Sequence, residues 1–161
     1  MRRASEIKTA GTWNAATAID RVVLDADERH RRRITLAGER GTVFLLDLAH
    51  AIALRDGDGL VLDDGAIVRV TGKPEPLIEI TAKSPHELAR LAWHIGNRHI
   101  DLQVVGERLR IRRDHVLEDM LRGLGARLAP IEAPFDPEHG AYEQHHGAHS
   151  HGGDHHGHDH G

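Results

Sequence analysis

Residues 77–131, LIEITAKSPHELARLAWHIGNRHIDLQVVGERLRIRRDHVLEDMLRGLGARLAPI, carry the changes of hydrophobic period that decide the fold. Leu77–Thr81 reads as a strand, and Ser84-Pro85-His86-Glu87 then forms a capping box with proline at the first helical position. Leu88, Leu91, Ala92 and Ile95 follow at helical spacing until Gly96 closes the helix. Ile100, Leu102 and Val104 alternate as a strand, Val105-Gly106-Glu107-Arg108 turns the chain, and Leu109 and Ile111 alternate as the partner strand. Asp114 caps a second helix with apolar positions at Leu117, Met120, Leu121 and Leu124, ended by Gly125. A last strand covers about Arg127–Ile131. The order β-α-β-β-α-β is the ferredoxin-like split βαβ unit.

Upstream the helical period disappears. Arg21–Leu24, Arg33–Leu36, Val43–Leu48, Leu60–Leu62 and Ala66–Val70 are candidate strands. They are separated by Ala37-Gly38, Arg55-Asp56-Gly57-Asp58-Gly59 and Asp63-Asp64-Gly65. Lys73-Pro74-Glu75-Pro76 interrupts the chain, because two prolines in four residues resist both helix and central strand. The expected organisation is α+β: a small all-β domain over 1–73, a ferredoxin-like domain over 74–136, and a disordered tail over 137–161.

That tail is the chemical signal of the chain. Nine of the fifteen histidines fall in the last twenty-three residues, at His139, His145, His146, His149, His151, His155, His156, His158 and His160. Imidazole nitrogen suits Ni, Zn and Cu, and is neutral near pH 7 because its pKa is about 6.5. The interleaved glycines leave the backbone free to wrap an ion, and Asp154 and Asp159 add oxygen ligands. An expression tag would be an uninterrupted histidine run; this irregular order is that of a native chelating segment.

The remainder bounds the alternatives. Of 161 residues, about 138 precede the histidine-rich run, enough for one ordinary domain or two small ones. A formal charge of −4 argues against nucleic acid as a partner. The chain has no cysteine, so disulfides and thiolate metal sites are excluded and the ligands are nitrogen and oxygen, apart from Met1 and Met120 as weak thioethers. Neither a signal peptide nor a stretch of about 20 apolar residues is present, so a soluble cytoplasmic protein is expected. Arg29-His30-Arg31-Arg32-Arg33 reads as a solvated strand edge, and Asp56-Gly57-Asp58-Gly59 as a turn lacking the register of a calcium loop. His50, His86 and His94 read as ordinary surface or helix residues.

Two histidines outside the tail stand at element ends: His99 just past the Gly96 stop, and His115 just after the N-cap Asp114. By spacing alone each is an exposed polar residue. Their neighbours add more. Trp93-His94-Ile95-Gly96-Asn97-Arg98-His99 and Arg113-Asp114-His115-Val116-Leu117-Glu118-Asp119-Met120-Leu121 resemble two motifs of the UreE-type urease accessory proteins. The order of β domain, ferredoxin-like domain and histidine-rich tail resembles that family too, as does Leu54-Arg55-Asp56-Gly57-Asp58 followed by Asp64-Gly65.

The resemblance implies a homodimeric nickel metallochaperone that is not an enzyme. It would deliver Ni2+ for urease activation in contact with the accessory GTPase UreG, with Zn2+ and Cu2+ as competing ions. It further implies that residues 1–73 bind a partner or peptide and that residues 74–136 bind metal and dimerise. His99 is carried over as the nickel ligand at the dimer interface, one copy from each subunit, and His115 as a more peripheral ligand. Some members have His-Asp-His where this chain has Arg113-Asp114-His115, which weakens a second folded-domain site. The alternatives are a nickel or zinc storage or detoxification protein without delivery, and a metallohydrolase. An enzyme would keep several preformed ligands around an open position, whereas the folded part has isolated histidines.

Coordinating imidazoles must be deprotonated, so metal competes with protons near pH 6.5. Nickel titrations at pH 7 and pH 5 should show the tail's capacity largely lost by about pH 5. Capacity unchanged at pH 5 would make carboxylates the principal ligands.

Overall fold

The computed structural model describes residues 1–140. The N-terminal part contributes β1 (Arg2–Lys8), β2 (Asp20–Leu24), β3 (His30–Ala37), β4 (Val43–Ala53), β5 (Gly59–Leu62) and β6 (Ile67–Gly72). These form one six-stranded sheet in the order β2-β6-β5-β1-β4-β3. Its core, including Ala4, Val22, Phe44, Leu46, Leu60, Val68 and Val70, comes from the strands themselves. With no long helix to cover that face, the sheet closes over its own apolar side.

Two elements here, besides a 3-10 turn over Ala15–Thr17, lie outside the sequence expectations. β1 is parallel to β4 and antiparallel to β5, so both its edges are paired although its residues are mostly polar. Ala4 is buried and Ile7 packs against the core, too thin a signal to read as a strand. The other is α1 (Ala26–Arg29), a single turn with Asp25 as N-cap and a reciprocal Glu28 capping box.

Asp20, at the start of β2, closes the β3–β4 hairpin from outside. Its carboxylate accepts amide hydrogen bonds from Arg21 at 2.7 Å, Arg40 at 2.9 Å and Thr42 at 3.1 Å. A Cβ on Gly38 would collide with that carboxylate, so this corner requires glycine.

The second sheet comprises β7 (Glu75–Thr81), β8 (Gln103–Val105), β9 (Arg108–Arg112) and β10 (Arg127–Ala133), ordered β10-β7-β9-β8 with every pair antiparallel. Helices α2 (Pro85–Gly96) and α3 (His115–Gly123) complete the ferredoxin-like βαββαβ unit. Leu91, Ile95, Leu117 and Leu121 bury against Ile78, Ile80, Leu109 and Ile111. The fold is therefore α+β, as the periods indicate. Pro76 nevertheless sits inside β7, opposite Glu132. Pairing to β9 starts only at Leu77, so the missing N–H falls outside that ladder, and Pro130 lies on the edge strand β10.

After β10 the chain crosses back over the junction between the sheets. Phe135 is wholly buried with Ala26 and Leu77. The Arg29 guanidinium, 2% exposed, donates to the carbonyls of Leu24, Leu54 and Phe135 and to the Asp136 carboxylate. Asp136 N–H donates to the Gln103 side chain, and Glu138 N–H to the Leu102 carbonyl at 2.7 Å. Residues 134–139 thus strap the two sheets together.

Burial works to raise the Asp20 carboxyl, but the amides of Arg40, Arg21 and Thr42 outweigh it and hold it at about 2, below its ordinary 3.8. A depressed carboxyl contributes stability that is complete above its ordinary range and is lost as pH falls through about 2. Asp20→Asn should lower the unfolding free energy at pH 7 by about 1–3 kcal/mol. It should also flatten the loss of stability between pH 4 and pH 2 in urea titrations.

Candidate metal centre

α2 is started by the Ser84 side chain accepting from Glu87 N–H, with Pro85 in the first turn. Its far end is unusual. Gly96 is the last helical residue, Asn97 is the right-handed C-cap, and the left-handed position falls on His99, at φ 57°. Among the described residues His99 is the one non-glycine with positive φ. Such a conformation costs an L-residue about 1–2 kcal/mol, although histidine tolerates it better than most. The turn is held by Asn97 N–H donating to Trp93, Arg98 N–H to Ile95 and His99 N–H to Gly96. The result is an exposed imidazole at a tightly bonded helix end. Trp93, six residues earlier, is 64% exposed, and its ring meets His94 edge-on at 5.1 Å.

His115 is the first residue of α3 and is also exposed. Asp114 caps this helix by accepting from Val116 and Leu117 N–H. The buried Glu118 accepts from Asp114 N–H and from the Arg113 guanidinium at 3.0 Å. Arg113 therefore serves the fold, neutralising a carboxylate inside the first turn of α3. The neighbouring Val116 is 67% exposed.

No group of three or more His, Asp or Glu side chains among the described residues is arranged to hold an ion. Among the described residues, neither His99 nor His115 gathers a ligand set. The acidic turn is occupied otherwise: Asp58 accepts from Ala10 and Arg55 N–H, and Asp56 from Gly72 N–H. Within Arg29–Arg33, residues 30–33 are exposed as a strand edge should be, but Arg29 is buried. The capping box Asp25-x-x-Glu28 was the available signal that a turn of helix precedes the strand and points Arg29 inward. His139 lies against His30, a partnership that no local pattern announces. His145, His146, His149, His151, His155, His156, His158 and His160 fall outside the described residues.

Comparison with known proteins places this arrangement. Two family models match the chain, the N-terminal domain of the UreE urease accessory protein over residues 2–72 and its C-terminal domain over residues 75–161. The chain belongs to the UreE family. It is similar to the urease accessory protein UreE of Bradyrhizobium sp. strain BTAi1, 58% identical over 144 residues, covering 89% of this chain and 69% of that protein. It is likewise similar to the UreE proteins of Beijerinckia indica, 50% identical over 150 residues, and Chelativorans sp. strain BNC1, 49% over 144 residues. Coverage of this chain is 91% and 89%, and of those proteins 86% and 91%. Membership of UreE implies a role in urease maturation, as an accessory protein and not as an enzyme. No helix among the described residues is long and apolar enough to cross a membrane.

The Arg113–Glu118 pair yields a test. Arg113→Ala strips the guanidinium from a buried carboxylate and should lower stability by about 1–3 kcal/mol in denaturant unfolding. The number of nickel ions bound in calorimetric titration should not change.

Proposed function

We propose that this chain is a homodimeric nickel carrier. It would bind Ni2+ through its histidine-rich tail and at His99, and hand the ion on for assembly of the urease metallocentre. The observation that carries the proposal is His99 itself: an exposed imidazole held in the left-handed region, with no ligand set around it among the described residues. One imidazole cannot retain an ion. A second copy across a twofold axis doubles it without further sequence.

Exposed Trp93 and Val116 support a protein contact in this region, since large apolar side chains left in water beside candidate ligands mark interaction surfaces. In this reading His99 from each protomer forms the shared site, and His115 is a peripheral ligand. The tail histidines, from His139 onward, supply capacity. Residues 74–136 bind metal and dimerise, residues 1–73 meet a partner, and the working location is the cytoplasm. The partners are a second copy, the accessory GTPase UreG and the urease activation complex. Ni2+ is cargo, for which Zn2+ and Cu2+ compete. Storage without delivery would use the tail but not the symmetric site, so transfer of nickel to urease apoprotein separates the two.

His99→Ala should abolish the tightest nickel isotherm in calorimetry and reduce nickel-dependent urease activation, while leaving the fold and most tail capacity intact. A chain ending at Ala141 should bind fewer ions per dimer and keep that isotherm. Loss of the tightest component on truncation, with none on His99→Ala, would place the primary site in the tail and overturn the proposal.

A further inference from the structure

We propose that His30 and His139 form a second, bis-imidazole site for a late first-row divalent cation, at the root of the histidine-rich segment. The two rings come from opposite ends of the chain, yet their centroids lie 5.0 Å apart at an interplanar angle of 48°. Two imidazoles binding one ion through nitrogens about 2.1 Å away have centroids roughly 4.6–5.3 Å apart for angles between about 90° and 109°. The observed separation falls within that range, so the two rings already stand at the spacing that a shared ion requires.

Both rings are positioned from behind. His30 is the first residue of β3, paired with Ala53, and its N–H donates to Asp27 as the cap of α1. Arg29, immediately before it, reaches to the Phe135 carbonyl and the Asp136 carboxylate. That contact draws the segment leading to His139 back to the start of β3, and the Glu138–Leu102 hydrogen bond fixes it from the other side. The side chain that holds the sheets together therefore also sets one imidazole against the other.

The surroundings suit a cation in transit. The pair lines a cleft of about 260 Å3 shared with Asp27, Asp101, Glu138 and Arg112. The Arg112 guanidinium is engaged by Asp27 at 2.9 Å and Asp101 at 2.8 Å, which offsets its repulsion of an incoming ion. His30 and Glu138 are exposed and His139 half-buried, so the site opens to solvent. No third His, Asp or Glu completes a ligand group among the described residues, leaving the other positions of the ion to water. Two imidazoles give modest affinity and fast exchange, the properties of a relay between the histidine-rich segment and a tighter site.

The test uses the full chain in the His99→Ala background, with NiCl2 as the probe at substoichiometric loading, read by paramagnetic broadening of backbone amides. Amides of residues 29–31 and 138–140 should broaden together at the lowest loading. Adding His30→Gln or His139→Gln should weaken that response at least about tenfold at the opposite partner. His30 is exposed at the start of an edge strand, so the glutamine variant should retain the amide spectrum of a folded chain. Broadening confined to residues beyond 141, or broadening at 138–140 that persists unchanged in His30→Gln, would overturn the site and leave the ring contact as packing alone. Because His99 is absent throughout, failure here leaves the carrier reading standing, and failure of that reading leaves this result intact.

Discussion

A buried guanidinium sets the terms for this molecule. Arg29 cannot leave water unpaired, since removing a charge from solvent costs several kcal/mol and is offset only when nearly every donor finds an acceptor. Here three carbonyls and one carboxylate take it, drawn from β2, from the loop after β4 and from the chain after β10. Arginine suits the task because its planar fork presents several donors in fixed directions. Phe135 closes the same junction from the apolar side, with the Arg112 guanidinium 4.9 Å above its ring. What would otherwise be two sheets on a two-residue linker becomes a single body with its C-terminal segment tied down as far as residue 139.

This organisation separates structural charge from chemical charge. Asp20, Asp56, Asp58, Glu118 and Arg113 are committed to backbone amides or to each other, so the carboxylates that look most like ligands in the sequence are spent on turns and helix ends. His99, His115 and His30 are exposed, at a left-handed helix exit, a helix start and the first residue of β3, and His139 stands half-buried against His30 at the junction. An enzyme metal centre needs three or four converging ligands. Among the described residues the imidazoles stand singly or as the His30–His139 pair, the arrangement on which the carrier proposal is built.

Much of this was legible in local sequence. The Ser84 and Asp114 caps, the apolar stripes on α2 and α3 and the hairpin around Gly106 appear where the period and turn chemistry put them. Gly96 was instructive, since the period marked the helix end to within a residue but not which residue would turn left-handed. Strand β1 was invisible because a strand paired on both edges can show a mostly polar sequence when Ala4 and Ile7 are its only side chains facing the core. Pro76 misled in the other direction, because its cost depends on which side of the strand is paired at that residue.

The sequence by itself determined the α+β class, the ferredoxin-like element order and, through the lack of cysteine, the absence of thiolate ligands. All of these rest on residue type and on spacing within about a dozen positions, which the chain carries in any conformation. Only the tertiary structure decided that Arg29 is interior, that Arg113 neutralises Glu118, and that His30 meets His139 across nearly the whole described chain. The contacts of Arg29 with Phe135 and Asp136 span 106 and 107 residues. Pairings at that range are products of the completed fold, and no periodicity along the chain encodes them.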